Sequence, residues 1–249
     1  MKAFIIHLPE RPLSISHATD MKTTLDSYGL DAELFVGTNG GEAENLIIKD
    51  QKILYPYSMK TREVESSEIQ NFIKPELWTE FKSQYYYKIT ARLPLGSDGE
   101  KMNNSGVKGC FYSHYNLWKK CIELNEPIMI FEDDVKFYRG WYPVEWNGIL
   151  ILSLGKKSFK QEPYKTYLEN PTGNPQTLLW RNSSMPGASG YAIKPRTAKK
   201  LVKFYRRYYY AADNAINVHI CDIEIHNYLM GRNILKEEGN VSLTKSKDW

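Results

Sequence analysis

The sequence predicts an α/β fold: one domain over residues 1–249, with a mostly parallel central sheet flanked by helices. Three observations carry that prediction. Short apolar runs of strand length alternate with segments of helical periodicity. The clearest helix, 107–124, leads directly into the most apolar run, 127–131. That run then ends in three consecutive carboxylates, Glu132, Asp133 and Asp134. A buried strand of an open α/β sheet delivers polar side chains in this way to the crevice beyond its carboxyl end.

The elements follow in chain order. Residues 3–8 read as the first core strand, closed by the turn Pro9-Glu10-Arg11-Pro12. Ser14 or Ser16 offers an N-cap for a helix that Gly29 stops. Glu33 to Val36 is a short strand, and Gly37-Thr38-Asn39-Gly40-Gly41 a loop. The stretch 42–105 holds scattered apolar residues, several prolines and a Ser97-Asp98-Gly99 turn signal, and reads as an insertion or acceptor-side region. In 107–124, Val107, Cys110, His114, Leu117, Cys121 and Leu124 step by three and four into one apolar stripe. Strands follow at 127–131, 148–152 and 189–193. Pro195 opens a helix over 195–209, with Ala198, Leu201, Val202 and Tyr205 inward and its lysines and arginines outward. A last helix is expected over 219–230.

Composition narrows the function classes. The chain has 249 residues, 42% hydrophobic and 25% charged, which places it among globular proteins with a sizeable core. No apolar run approaches the ~20 residues of a membrane span, and the N-terminal run lacks a cleavage site. The expectation is therefore a cytoplasmic protein, peripheral at the inner membrane surface or in a host cytoplasm if the chain is viral. Net charge is +4, short of the balance of a dedicated nucleic-acid binder. Of the three cysteines, Cys110 and Cys121 would lie about 16 Å apart along one helix, so free thiols are expected and the spacing argues against a zinc site.

The acidic strand end admits two readings. Three adjacent carboxylates repel one another and need solvent, a cation or a cationic partner. Their oxygens suit a hard divalent ion such as magnesium or manganese, and a solvated acidic turn accounts for them equally well.

The surroundings tip that balance. Gly106-Val107-Lys108-Gly109-Cys110-Phe111-Tyr112-Ser113-His114, then Leu117-Trp118-Lys119-Lys120-Cys121, then Pro127 to Val135, resemble glycosyltransferase family 25. The opening strand Phe4 to Leu8 resembles that family's first strand, with His7 where an asparagine is usual. Phe35 to Gly40 is similar to its A-x-x-G segment, and Gly187-Ala188-Ser189-Gly190-Tyr191 to its T-A-G-Y element. The resemblance implies a GT-A-like fold, a nucleotide-sugar donor such as a UDP-sugar, Mn2+ or Mg2+, and inversion at the anomeric carbon, with a hexosyl or pentosyl group transferred. It places Glu132 and Asp134 on the metal. It places Leu8, Arg11, Gly109, Ser113, His114, Glu132, Asp133 and Gly190 about the donor. Asp222 and Glu224 are the candidates for a general base.

Each of these residues also has a plainer reading. His114 lies on an apolar stripe, where a satisfied core histidine is equally expected. Gly109 fits close helix-to-sheet packing, Gly187 and Gly190 a tight turn, Arg11 a surface charge, and His219 and His226 a helix surface. The acceptor stays open between a lipooligosaccharide saccharide and a hydroxylated DNA base. Lys199, Lys203, Arg206 and Arg207 supply a polyanion contact in either case. A non-catalytic binding module on a degenerate transferase fold is the remaining class.

Overall fold

The computed structural model describes residues 1–43, 45, 70–82, 105–155, 173–180, 185, 187–206 and 211–233. Its elements are β1 (Lys2–His7), α1 (Pro12–Ser27), β2 (Asp31–Val36), a 3-10 turn (Pro75–Leu77), α2 (Trp78–Phe81) and α3 (Ser105–Leu124). They continue with β3 (Ile128–Glu132), β4 (Val135–Phe137), β5 (Ile149–Ile151), β6 (Ser153–Gly155), β7 (Thr177–Leu179) and β8 (Gly190–Ile193). Last come α4 (Pro195–Phe204), α5 (Ala212–Ala215), β9 (Ile223–His226) and β10 (Gly231–Asn233). Seven strands form one sheet in the order β2-β1-β3-β8-β5-β9-β7, and β4-β10-β6 form a second.

The α/β class is as expected, but the large sheet is mixed. β1 runs parallel to β2 and β3, and β5 to β9. β8 is antiparallel to both β3 and β5, and β7 to β9. The direction of β8 matters for function, because it begins where β3 ends: Phe131 pairs with Gly190 and Ile128 with Ile193.

Period-two alternation sorts the core strands onto two faces. Ile128 and Ile130 of β3, Ile149 and Ile151 of β5, and Tyr191 and Ile193 of β8 join Phe111, Leu117, Trp118, Leu201 and Tyr205 in one cluster, under α3 and α4. Met129, Phe131, Leu150, Leu152 and Ala192 join Ala18, Met21 and Leu25 of α1 in the other. Both faces being covered explains why these strands read as continuous apolar runs.

Helix ends show where local signals hold. Gly29 at φ 77 stops α1 with Gly29 N–H to Asp26 O at 2.9 Å and Leu30 N–H to Leu25 O at 3.1 Å, a Schellman arrangement. The start differs from expectation. Helix α1 begins at Pro12 with no side-chain cap, and Ser14 Oγ instead accepts the N–H of Leu8 at 2.8 Å.

Two further expectations are corrected. The helix expected over 219–230 is strand β9, because Ile223 and Ile225 enter the α3-side cluster while neighbours β5 and β7 pair on both edges. His219 and His226 are accordingly not helix-surface histidines but fully buried. His226 Nε2 reaches Tyr142 O at 2.7 Å. Helix α4 ends at Phe204 rather than 209. Most of the expected insertion over 42–105 lies outside the described residues. Its part 70–82 packs onto the α4 side, with the Phe81 ring 6.3 Å from Phe204 and 5.7 Å from His219.

One glycine sets how closely the sheet packs. A Cβ on Gly190 would come within 2.7 Å of Ser153 Cβ and 2.8 Å of Phe131 Cδ1. Gly190→Ala should therefore lower unfolding stability by about 1–3 kcal/mol through overpacking, read as a drop in denaturant midpoint at constant slope.

Candidate functional site

β1 and β3 are adjacent and parallel, with Ile6 opposite Glu132, so both chains leave the sheet at the same edge. Four segments converge there. Leu8 and Arg11 follow β1, joined by Arg11 N–H to Leu8 O at 3.0 Å. The loop after β2 is tied back by Gly37 N–H to His7 O at 2.7 Å. Ser189 O accepts the N–H of Glu132 at 2.9 Å, which brings in the start of β8. The first turns of α3 complete the set.

Glycine makes the α3 approach possible. A Cβ on Gly109 would sit 2.7 Å from Thr38 O, so the helix rests on the 37–40 loop, not on the sheet face as plain helix-to-sheet packing had it. Ser113 locks that contact: its Oγ accepts Thr38 N–H at 2.8 Å and donates to Gly109 O at 2.7 Å. The structure thus brings Leu8, Arg11, Gly109, Ser113, His114, Glu132, Asp133, Asp134 and Gly190 to one edge.

The three carboxylates do not share one environment. Alternation along β3 sends Glu132 to the α3 face, where Oε1 lies 3.3 Å from both Cys110 Sγ and His114 Nε2. Asp133 turns to the α1 face and hydrogen-bonds Ser14. Asp134, in the turn after β3 and buried at 6% exposure, adds its charge to the rise of the Cys110 thiol's pKa.

Their electrostatics differ accordingly. Burial works to raise the pKa of Glu132, but the hydrogen bonds from His114 and the Cys110 thiol outweigh it and hold the acid below the usual carboxylate value. Asp133 is raised, first by burial and then, against the Ser14 hydroxyl, by the charge of Glu132.

A fourth carboxylate belongs here that the sequence reading did not select. Asp213 lies on the short helix α5, in electrostatic reach of Glu132, His114 and Cys110. Burial raises its pKa; the N–H of Asn214, 2.9 Å from Oδ1, opposes the rise and the charge of Glu132 adds to it. One sequence signal was available: Asp213 is the only carboxylate between Glu169 and Asp222.

Asp222 and Glu224 lie elsewhere. Strand β9 is three strands from β3, about 14 Å across the sheet. Asp222 precedes β9 at the opposite edge, where its carbonyl accepts Ile149 N–H at 2.9 Å and its carboxylate pairs with Lys74 at 2.7 Å. Glu224 alternates away from the α3 face and takes Asn147 Nδ2 at 2.9 Å. Lys199, Lys203 and Arg206 are exposed on or just after α4, and Arg207 lies outside the described residues.

All three cysteines are free, as expected. Cys110 nevertheless stands with His114 and Glu132 in a group whose ligand atoms lie within 4.8 Å of one another.

The strand-end carboxylates lie at the carboxyl edge of an α/β sheet, the edge at which open α/β sheets commonly bind their ligands. Residues 2–142 match glycosyltransferase family 25 (LPS biosynthesis protein), and the chain belongs to that family. It is 31% identical over 115 residues to the lipooligosaccharide biosynthesis protein lex-1 of Haemophilus influenzae, an alignment covering 41% of this chain and 37% of the relative. It is 26% identical over 150 residues to a glycosyltransferase 25 family member of Anopheles gambiae, covering 55% of this chain and 19% of the relative. The chain thus spans well under two thirds of the length of either relative. Among the described residues no helix is long and apolar enough to cross a membrane.

The burial of the thiols has a direct chemical consequence. Cys121 and Cys221 are pushed up to about 12, chiefly by burial, and Cys110 is raised well above its ordinary value by burial and by Glu132. Thiolate supply at pH 8 then falls to about a thousandth of that of a free cysteine. Native protein should show no fast-reacting thiol toward iodoacetamide, with all three alkylated rapidly after denaturation.

Proposed function

We propose that this chain is a metal-dependent, inverting glycosyltransferase that moves a sugar from a nucleoside-diphosphate donor, a UDP-sugar, to a saccharide hydroxyl of a lipooligosaccharide. The observation that carries this reading is the pair of carboxylates with opposed environments at one sheet edge. Glu132 is held anionic by Cys110 and His114, while Asp213 is pushed toward a higher pKa by burial and by Glu132 itself. Two acids driven apart in this way are suited to different tasks.

Asp213 is the general base of the proposal, accepting the acceptor hydroxyl's proton as the oxygen attacks the anomeric carbon. Asp222 and Glu224 give up that role because they sit at the other edge. Leu8, Arg11 and the 37–40 loop, fixed against α3 by Ser113, form the wall proposed to hold the nucleotide. Asp133, anchored to Ser14, borders the same wall.

The donor set suits a hard divalent cation, because Glu132 and Asp134 put two carboxylates two residues apart at the end of β3, both near enough to Cys110 to raise its thiol. Mn2+ or Mg2+ held by Asp134 with Glu132 would neutralise the charge that gathers on the departing diphosphate. The acceptor class is supported by the lipooligosaccharide relative named above. The exposed Lys199, Lys203 and Arg206 would hold an anionic surface beside it.

A screen of nucleotide sugars with manganese and a lipooligosaccharide acceptor, read as nucleoside diphosphate release, tests the reading. Asp134→Asn and Asp213→Asn should each lower kcat at least a hundredfold while the protein stays folded. Because a base must be deprotonated, kcat/KM should fall as pH drops through the raised pKa of Asp213, so the acid limb should lie above the usual aspartate value of 3.8. Full turnover in Asp213→Asn would remove it as the base, and no release with any donor would overturn the transferase reading itself.

A further inference from the structure

Glu132 is the half-buried end of a hydrogen-bond chain that runs out of the core. Trp118 Nε1 lies 2.8 Å from Tyr191 Oη, Tyr191 Oη 2.9 Å from His114 Nδ1, and His114 Nε2 3.3 Å from Glu132 Oε1. The rings of His114 and Tyr191 are stacked with centroids 5.7 Å apart. Trp118, Tyr191 and His114 are each essentially inaccessible, so every polar hydrogen in the chain needs a partner from the protein.

That requirement fixes the direction of the chain. The indole N–H can only donate, so Tyr191 Oη accepts from Trp118. The Tyr191 hydroxyl proton must then be given away. Among the described residues, the acceptor it meets within hydrogen-bond distance is His114 Nδ1. A neutral imidazole accepting at Nδ1 carries its proton on Nε2, which points at Glu132 Oε1. Cys110 donates to the same oxygen.

We propose that Trp118, Tyr191 and His114 are positioning residues that lock His114 in its Nε2–H tautomer, fix Oε1 of Glu132, and present the other carboxylate oxygen to the donor side of the crevice. The proposal rests on the transferase reading for what Glu132 meets, but the chain itself is a property of the free protein.

The same atoms suggest a competing arrangement. Cys110 Sγ, His114 Nε2 and Glu132 Oε1 have the mutual spacing of three ligands around a thiophilic cation such as zinc. That arrangement needs a bare Nε2 and a proton on Nδ1. Tyr191 would then accept from both Trp118 and His114, leaving its own hydroxyl proton unplaced in a closed core. The hydrogen-bond chain places every proton, and the metal arrangement does not.

Nitrogen-15 NMR of ring-labelled histidine in the full chain decides between them, with His114→Gln used to assign the signals. The chain predicts a protonated, pyrrole-type Nε2 and a pyridine-type Nδ1 at His114. The opposite tautomer would overturn it. So would a cobalt(II)–thiolate charge-transfer band that appears on titration and vanishes in Cys110→Ser. In turnover, Tyr191→Phe should lower kcat at least tenfold with donor KM changed less than threefold. His114→Gln, whose amide can still donate to Glu132, should retain at least fivefold more activity than His114→Leu. Wild-type kcat in a folded Tyr191→Phe would contradict the positioning role. If Tyr191→Phe does not fold, the tautomer of the wild-type protein still decides. Since that readout needs no turnover, failure of the transferase reading and failure of the chain are seen separately.

Discussion

A carboxylate held anionic at the mouth of an apolar core is the constraint on which the rest of this site depends. Burial alone would raise the pKa of Glu132, and a neutral acid there would neither attract a cation nor raise its neighbours. His114 and Cys110, one turn apart on α3, supply the two donors that reverse the effect of burial. Once Glu132 is charged, its field reaches Asp213, Asp133 and the Cys110 thiol, and each of them titrates higher than it would alone. The division of roles proposed for the acids follows from that one charge.

Several backbone decisions exist to deliver the two donors. Helix α3 can approach only because Gly109 rests on the carbonyl of Thr38, and a Cβ on Gly40 would likewise meet Ser105 O at 2.5 Å. Ser113 then fastens the loop to the helix. Strand β8, running against β3, sets Tyr191 on the α3 face opposite Ile130, where it can meet both His114 and Trp118. A parallel strand would present its far end at this edge. Mixed topology is therefore part of how the site is built.

Much of this was legible in the residues. The apolar run ending in Glu132-Asp133-Asp134, the striped helix before it and the glycines about it point to the α/β class and to the sheet edge at which these acids lie. Strand direction was not legible, because pairing partners are tertiary facts and the 189–193 run looks the same either way. Ile223-Glu224-Ile225-His226 was misjudged because four residues carry too little periodicity to separate strand from helix. The same reading leaves His219 and His226 on a helix surface, whereas both are fully buried; Asp222 and Glu224 come from the family resemblance and not from periodicity. Asp213 escaped notice because it sits on a four-residue helix with no cap or stripe to mark it. Only its isolation among basic and aromatic residues hinted at a purpose.

The role proposed for the strand-end acids is that of a cation-dependent diphosphate site. Calorimetric titration of UDP into the chain, with manganese and again with EDTA, tests it most directly. The account predicts binding with manganese, none with EDTA, and loss of the manganese-dependent binding in Asp134→Asn. Binding of equal strength in EDTA, or unchanged binding in Asp134→Asn, would contradict it.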